Sequence, residues 1–260
     1  MSAPYMSLAD WRLLYRLGRN RLASEDSYRE FQVFQGTLLV RFLHSHDVDV
    51  AGCRVVDIGC GYGGFSLALS AAGSHVTALD LFSEDWPVSL GHDAVAVAAD
   101  ALRLPIRSNA FDLAVCASLI EHVAHPDRLL AELARVVRPG GIVYISFPPF
   151  YSPRGGHQFS PFHYLGERCA IALSRRLRGR TSTWVQSTYP DDPKSFETLW
   201  GAWGLHVLTI GKFERFLAGS PLLLRERSTR LLPVDFSGLP ILREVLTWHV
   251  QYLLEKSAED

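Results

Sequence analysis

The sequence predicts an α/β protein, a doubly wound and mostly parallel sheet of seven strands with N-terminal helices and a lid insertion after strand five. Three observations carry this. A β-branched run, Arg54–Ile58, ends in glycines and then enters the apolar stretch Phe65, Leu67, Ala68 and Leu69, which reads as strand, tight turn and helix. Strands then alternate with helices as far as Phe147, the pattern of a parallel sheet covered on both faces. Finally, 260 residues at 48% hydrophobic content are ample for one such domain and short for two.

The bulk composition narrows the function. A net charge of −1 argues against a nucleic-acid binder driven by overall electrostatics, so no nucleic-acid partner is expected. Cys53, Cys60, Cys116 and Cys169 form no C-x-x-C pair and read as reduced, packed thiols. The first residues lack a secretory h-region and no apolar run approaches membrane-spanning length, which together predict a cytoplasmic protein. Arginine outnumbers lysine 23 to 3, a bias that a GC-rich coding sequence explains.

Residues 7–46 read as two helices broken near Gly18-Arg19-Asn20; in the second, Tyr28, Phe31, Phe34, Gln35 and Leu38 recur at three- and four-residue steps. Residues 1–46 are therefore assigned to an N-terminal helical lid or cap, and 47–260 to the main domain. Strand one is Arg54–Ile58, and Gly73 caps the helix that follows. Strand two is His75–Asp80, strand three Val95–Ala99, and strand four Ala110–Cys116. Pro126–Val137 is a helix with proline and Asp127 in its first turn, stopped by Pro139-Gly140-Gly141. Ile142–Phe147 is strand five.

Beyond Pro148 the alternation stalls. Residues 148–192 are rich in proline, glycine, histidine and aromatics, and loops of that length are usually functional. This insertion is assigned as a substrate lid. A helix is expected over 193–203, a sixth strand over Leu205–Ile210, an irregular stretch from Phe213 to Pro240, and a last strand around Trp248–Leu254, where Val245, Trp248 and Tyr252 also fit a helical face and leave helix as the competing reading.

The glycine turn admits two readings on its own residues. Gly59, Gly61 and Gly64 satisfy G-x-G-x-x-G, with Asp80 at the spacing of a ribose-binding acid in a dinucleotide site. Gly59, Gly61 and Gly63, with Asp57 two residues ahead, instead resemble the first motif of class I S-adenosylmethionine-dependent methyltransferases. The downstream segments resemble that family in the right order over roughly residues 50–150. Phe111–Val123, with its Glu121-His122 pair, looks like the fourth-strand motif of the ubiquinone/menaquinone-type (type 11) branch. Arg135-Val136-Val137-Arg138-Pro139-Gly140-Gly141 matches that branch's turn into strand five.

The resemblance implies a Rossmann-like methyltransferase fold and S-adenosyl-L-methionine as cofactor. The Asp57–Gly63 turn would present main chain to the amino-acid tail, and Asp80 would grip the ribose diol with both carboxylate oxygens. Leu81, with Phe82, would flank the purine, Asp100 and Ala101 would read its edge, and Cys116 would end strand four beside the crevice. Asp57 could equally serve only to tie the turn.

An oxygen nucleophile benefits from a general base, so His157 and His163 of the 148–165 loop, and His122 after strand four, are the candidate catalytic residues. His157 and His163 stand six residues apart without further ligand-like neighbours, and no metal site is expected. The loop also resembles, more weakly, methyltransferases found beside glycosyltransferases. The expected acceptor is accordingly a small molecule or lipid-linked glycan methylated on a sugar hydroxyl. C- or O-methylation of a quinone or polyketide-like ring is the alternative, and a non-catalytic cofactor-binding partner subunit a third reading. Trp11, Leu14 and Tyr15 beside Arg12, Arg16 and Arg19, and Ile171, Leu173 and Leu177 among Arg168, Arg175, Arg176, Arg178 and Arg180, form two amphipathic segments. Their apolar faces would meet the core, a second subunit in a homodimer, or an anionic membrane at the inner face of the plasma membrane.

Overall fold

The computed structural model describes residues 5–81, 94–177, 194–197 and 204–258. Two helices open the chain. Helix α1, Leu8–Asn20, starts at Ser7, whose hydroxyl accepts from the Asp10 amide while the Asp10 carboxylate accepts from the Ser7 amide, a reciprocal cap. Helix α2, Glu25–His44, starts at Ser24 with Glu25 and Asp26 against the positive end of its dipole. The break falls at 21–24, slightly later than expected.

Strands β1 (Arg54–Ile58), β2 (His75–Asp80), β3 (Val95–Ala98) and β4 (Phe111–Ala117) run parallel, with helix α3 (Gly64–Ala71) between β1 and β2. Helix α4, Pro126–Val136, leads directly into β5, Val137–Phe147. The expectation that Pro139-Gly140-Gly141 stops that helix needs correction. The helix ends at Val136, and the glycines bend the strand that has already begun. Gly141 lies so close to the backbone of Arg138 and Asp112 that an added Cβ would stand 2.9 Å from each carbonyl oxygen.

The second half departs further from expectation. Leu205–Ile210 is no strand. Thr209 caps helix α6, Ile210–Ala218, by accepting from the Lys212 amide, and Ile210, Phe213 and Leu217 bury one helical stripe. The sixth strand, β6, is Leu222–Thr229, inside the stretch read as irregular. Its charged alternation, Arg225-Glu226-Arg227, masked it, as suits a sheet edge. Strand β7, Val250–Lys256, matches the expected last strand. Helix α5, Glu167–Leu177, lies within the loop region, whereas the helix expected over 193–203 falls mostly outside the described residues.

The seven strands lie in the order β3-β2-β1-β4-β5-β7-β6, with β7 antiparallel to both neighbours. Period-two alternation divides the core. Val56, Ile58, Ala114, Cys116, Val143 and Ile145 face α4 and α6, while Val55, Leu113, Val115 and Tyr144 face α2 and α3. Strand order reverses between β1 and β4, so the carboxyl ends of these two strands flank the crevice of a doubly wound sheet.

The N-terminal helices belong to this packing. An added Cβ on Gly64 would stand 2.4 Å from Gln32 Cβ, and one on Gly36 would stand 2.7 Å from Ala68 Cβ, so α2 and α3 meet almost backbone to backbone. The apolar residues Leu14 and Leu17 of α1 and Ala170 and Ile171 of α5 pack inward. Of the apolar residues in those two segments, Leu14 and Ile171 are buried, Trp11, Leu173 and Leu177 are half-buried, and Tyr15 is exposed.

Candidate active site

The glycine turn forms at the carboxyl end of β1. Gly59, Gly61 and Gly63 have φ of +74°, +50° and +74°, a region that side chains disfavour. The Gly59 and Cys60 amides donate to the Leu79 carbonyl at 2.7 and 3.1 Å, which pins the turn to β2. The segment after β4 presses on the same turn, and a Cβ on Gly59 would stand 2.9 Å from the Leu119 side chain. From the other side α2 covers it, with the Tyr28 and Tyr62 rings 5.8 Å apart, edge to face.

Asp80, at the end of β2, accepts from the Gly61 amide at 2.8 Å and from the Leu81 amide at 2.8 Å. The ribose-binding candidate and the glycine turn are therefore one unit. Asp57 lies beneath. It is buried and accepts from the Ser66 hydroxyl at 2.6 Å, tying β1 to the first turn of α3. Burial drives its carboxyl up to about 7, although the Ser66 bond pulls the other way. Exposed Asp100 folds its carboxylate onto the Leu102 amide at 2.9 Å, beside half-buried Ala101, while Leu81 is exposed and Phe82 lies outside the described residues. Cys116 is fully buried in the core, and burial raises its thiol. It packs and does not act as a nucleophile.

Of the three candidate histidines, the structure pairs His122 with His157. His157, in a 3-10 turn at His157–Phe159, lies beside His122, and the His163 ring packs against Gly156. The His122 and His157 rings lie 4.7 Å apart, and each Nε2 approaches Glu121 Oε1, at 3.7 Å from His157 and 3.9 Å from His122. The chain at 204–206 holds this turn in place. The His206 amide donates to the Glu121 carbonyl at 2.9 Å, and His122 Nδ1 lies 2.7 Å from the Gly204 carbonyl. Burial pushes the Glu121 carboxyl up to about 8 and His122 down to about 4, and drives His157 down as well. His163 is buried by the neighbouring glycine turn, against Phe150 and Tyr164, and burial lowers it too. All three imidazoles are neutral near pH 7 and able to accept a proton.

A cationic wall adjoins the cluster and escaped the sequence reading. Arg230 is buried, donates to the Ser146 hydroxyl at 3.2 Å, and lies 4.9 Å above the Phe65 ring. Burial beside Arg21 and Arg230 lowers the Arg154 guanidinium to about 10. Among the described residues neither Arg154 nor Arg230 has a carboxylate within ion-pair distance. The signal for Glu121 was present in its adjacency to His122 at the crevice mouth. For Arg230 there was none, because it sits just past a strand that went unread.

Comparison with known proteins bears on the part of the chain that holds this site. Residues 56–145 match the family described as a methyltransferase domain. An uncharacterised methyltransferase of Mycobacterium ulcerans is 32% identical over 142 residues, 53% of this chain and 56% of that protein. The chain thus spans about half the length of the curated relatives it matches. Among solved structures, an S-adenosylmethionine-dependent methyltransferase from Mesorhizobium loti aligns with a TM-score of 0.55 at 22% identity, covering 83% of this chain and 96% of that one. The [4+2]-cyclase SpnF aligns with a TM-score of 0.50 at 16% identity, over 80% and 75% of the two chains. These likenesses concern the fold alone, and SpnF is a reminder that the fold is shared by other chemistries. Strand order, glycine turn and second-strand acid agree with the matched segment, and residues 56–145 carry a methyltransferase domain.

Proposed function

We propose that the protein transfers the methyl group of S-adenosylmethionine to a hydroxyl of a small or lipid-linked acceptor that carries an anionic group, with a sugar hydroxyl of a lipid-linked glycan as the leading candidate. The observation that carries this is the juxtaposition of buried Glu121, His122 and His157 with Arg154 and Arg230, which meet no carboxylate among the described residues. An oxygen nucleophile must lose its proton as the methyl arrives, and neutral buried imidazoles suit that task. A phosphate or pyrophosphate on the acceptor would suit the guanidinium pair. A neutral quinone ring would leave both cations without a counter-charge, so ring methylation is the second reading.

The cofactor supplies the electrophilic methyl; the chain orients and excludes water. Asp80 and the Gly59–Gly63 turn hold the nucleoside and tail, α2 closes one side, and the 148–165 loop closes the other. Substrate access from a membrane would use a surface that the sequence reading did not single out. Leu239, Ile241, Leu242 and Trp248 expose 43%, 85%, 55% and 41% of their surface. No described helix is long and apolar enough to cross a membrane.

The test is an acceptor panel read by S-adenosylhomocysteine release: lipid-linked pyrophosphoryl glycans, nucleotide sugars and hydroquinones. Turnover on a glycan acceptor that falls at least tenfold in Arg154→Gln supports the reading. Turnover on a neutral hydroquinone alone, unaffected by that substitution, overturns it. Binding to anionic vesicles that Ile241→Ser weakens and high salt releases would support access from a lipid surface. A protein left in the supernatant throughout removes that part.

A further inference from the structure

We propose that Glu121, His122 and His157 form a binding site for a divalent first-row transition-metal ion, against the expectation of no metal drawn from the loop histidines alone. One ligand atom from each residue lies within 4.8 Å of the other two. The ions that these donors suit bind at about 2.0–2.2 Å, which sets edges of roughly 3–3.5 Å between ligand atoms. The 3.7 and 3.9 Å separations from Glu121 Oε1 need less than an ångström of contraction to meet that.

Hydrogen bonding does not account for the Glu121 carboxylate. Both distances are too long for a carboxylate–imidazole hydrogen bond. Glu121 is 1% exposed, and neither of its carboxylate oxygens has a hydrogen-bond partner among the described residues. A carboxylate buried without a partner is costly, and a cation between it and two imidazoles removes the cost. His122 is oriented for ligation. A carbonyl can only accept, so Nδ1 donates its proton to Gly204 at 2.7 Å and leaves the Nε2 lone pair facing Glu121. Such a bond from the far ring nitrogen to a carbonyl typically fixes a ligating histidine.

Two imidazoles and one carboxylate favour zinc, iron(II), cobalt(II) or manganese(II) over magnesium or calcium, which prefer oxygen-only sites. Three protein ligands also leave a coordination position for a water or an acceptor oxygen. Its catalytic use rests on the methyl-transfer reading above. With both Nε2 lone pairs on the ion, these imidazoles would no longer serve as the base. An acceptor hydroxyl at that position, acidified by the ion, would lose its proton to solvent, its oxygen would bond the methyl carbon, and the carbon–sulfur electron pair would leave on sulfur as S-adenosylhomocysteine.

The experiment is titration of tag-free, chelator-treated protein with Co²⁺, read by visible absorption and calorimetry, with S-adenosylhomocysteine binding checked in every variant. One equivalent with d–d bands is expected. Glu121→Gln and His157→Asn should each weaken binding at least tenfold, while His163→Asn, outside the cluster, should leave it intact. Absence of stoichiometric binding, or binding unchanged in both ligand variants, overturns the proposal. If the variants misfold, X-ray absorption of the wild-type Co²⁺ protein decides: a shell with two imidazole nitrogens supports the site, and an oxygen-only shell overturns it. Methyl transfer that survives chelation in a protein unable to bind Co²⁺ would remove this site and leave the methyltransferase reading. Co²⁺ binding without any cofactor binding would do the reverse.

Discussion

At the scale of single residues, two acids in the glycine turn do different work. Asp80 is oriented by two backbone amides at the mouth of the turn, where its carboxylate is able to meet a diol. Asp80→Ala should therefore weaken S-adenosylmethionine binding by about 1.5–3 kcal/mol, the scale of charge-assisted hydrogen bonds. Calorimetry on the folded variant checks this, and undiminished affinity would withdraw the ribose assignment. Asp57 is buried and holds β1 to α3 through Ser66. Its folded-state carboxyl is raised to about 7, so between pH 4 and 7 the native state holds more protons than the unfolded chain. Its contribution to stability is therefore largest below the unfolded value near 4 and is lost as pH rises to about 7. Asp57→Asn should flatten urea-derived stability across that window relative to wild type. A variant with the same slope would place the dependence elsewhere.

At the scale of elements, the seat of α2 on α3 depends on having no side chain at two positions. Gly64 has ordinary helical angles, so its requirement is steric: a Cβ there would overlap Gln32 at 2.4 Å and the Gln32–Val33 peptide at 2.8 Å. Gly64→Ala must push α2 outward, and overpacking of this kind costs about 1–3 kcal/mol. Because Tyr28 and Gln32 also cover the glycine turn, cofactor affinity should fall together with stability. The urea midpoint and a cofactor titration on one sample check the coupling. Loss of stability with full affinity would mean that α2 is support rather than a wall of the site.

At the scale of the molecule, a cofactor bound at the proposed site would join α2, the glycine turn, β2 and the chain after β4. A ligand that binds only the folded chain stabilises it by mass action, about 2.7 kcal/mol at a hundred times its Kd. S-adenosylhomocysteine at that excess should raise the thermal midpoint by several degrees, and NAD at equal concentration should not. A shift with NAD alone would restore the dinucleotide reading of Gly59, Gly61 and Gly64. The same comparison in Asp80→Ala ties the shift to the turn.

Local chemistry made the first half of the fold readable. Five strands, the glycine turn and the helix at Pro126 each combine period, turn residues and caps that agree within a few residues of chain, and Asp80 stands at a strand end that topology alone sets beside Gly61. The second half was less legible because its signals conflict. Leu205–Ile210 has strand composition, but the Thr209 cap and the burial of Ile210, Phe213 and Leu217 made the following chain a helix, while the charged edge strand Leu222–Thr229 lacked the apolar alternation that would reveal it. The candidate site divides in the same way. The cofactor turn is contiguous in sequence, whereas Glu121 and His157 are 36 positions apart and the Gly204 carbonyl that fixes His122 lies 82 positions away. Only the packing of the loop after β5 against the end of β4 brings them together, because burial and long-range backbone pairing are properties of the folded chain.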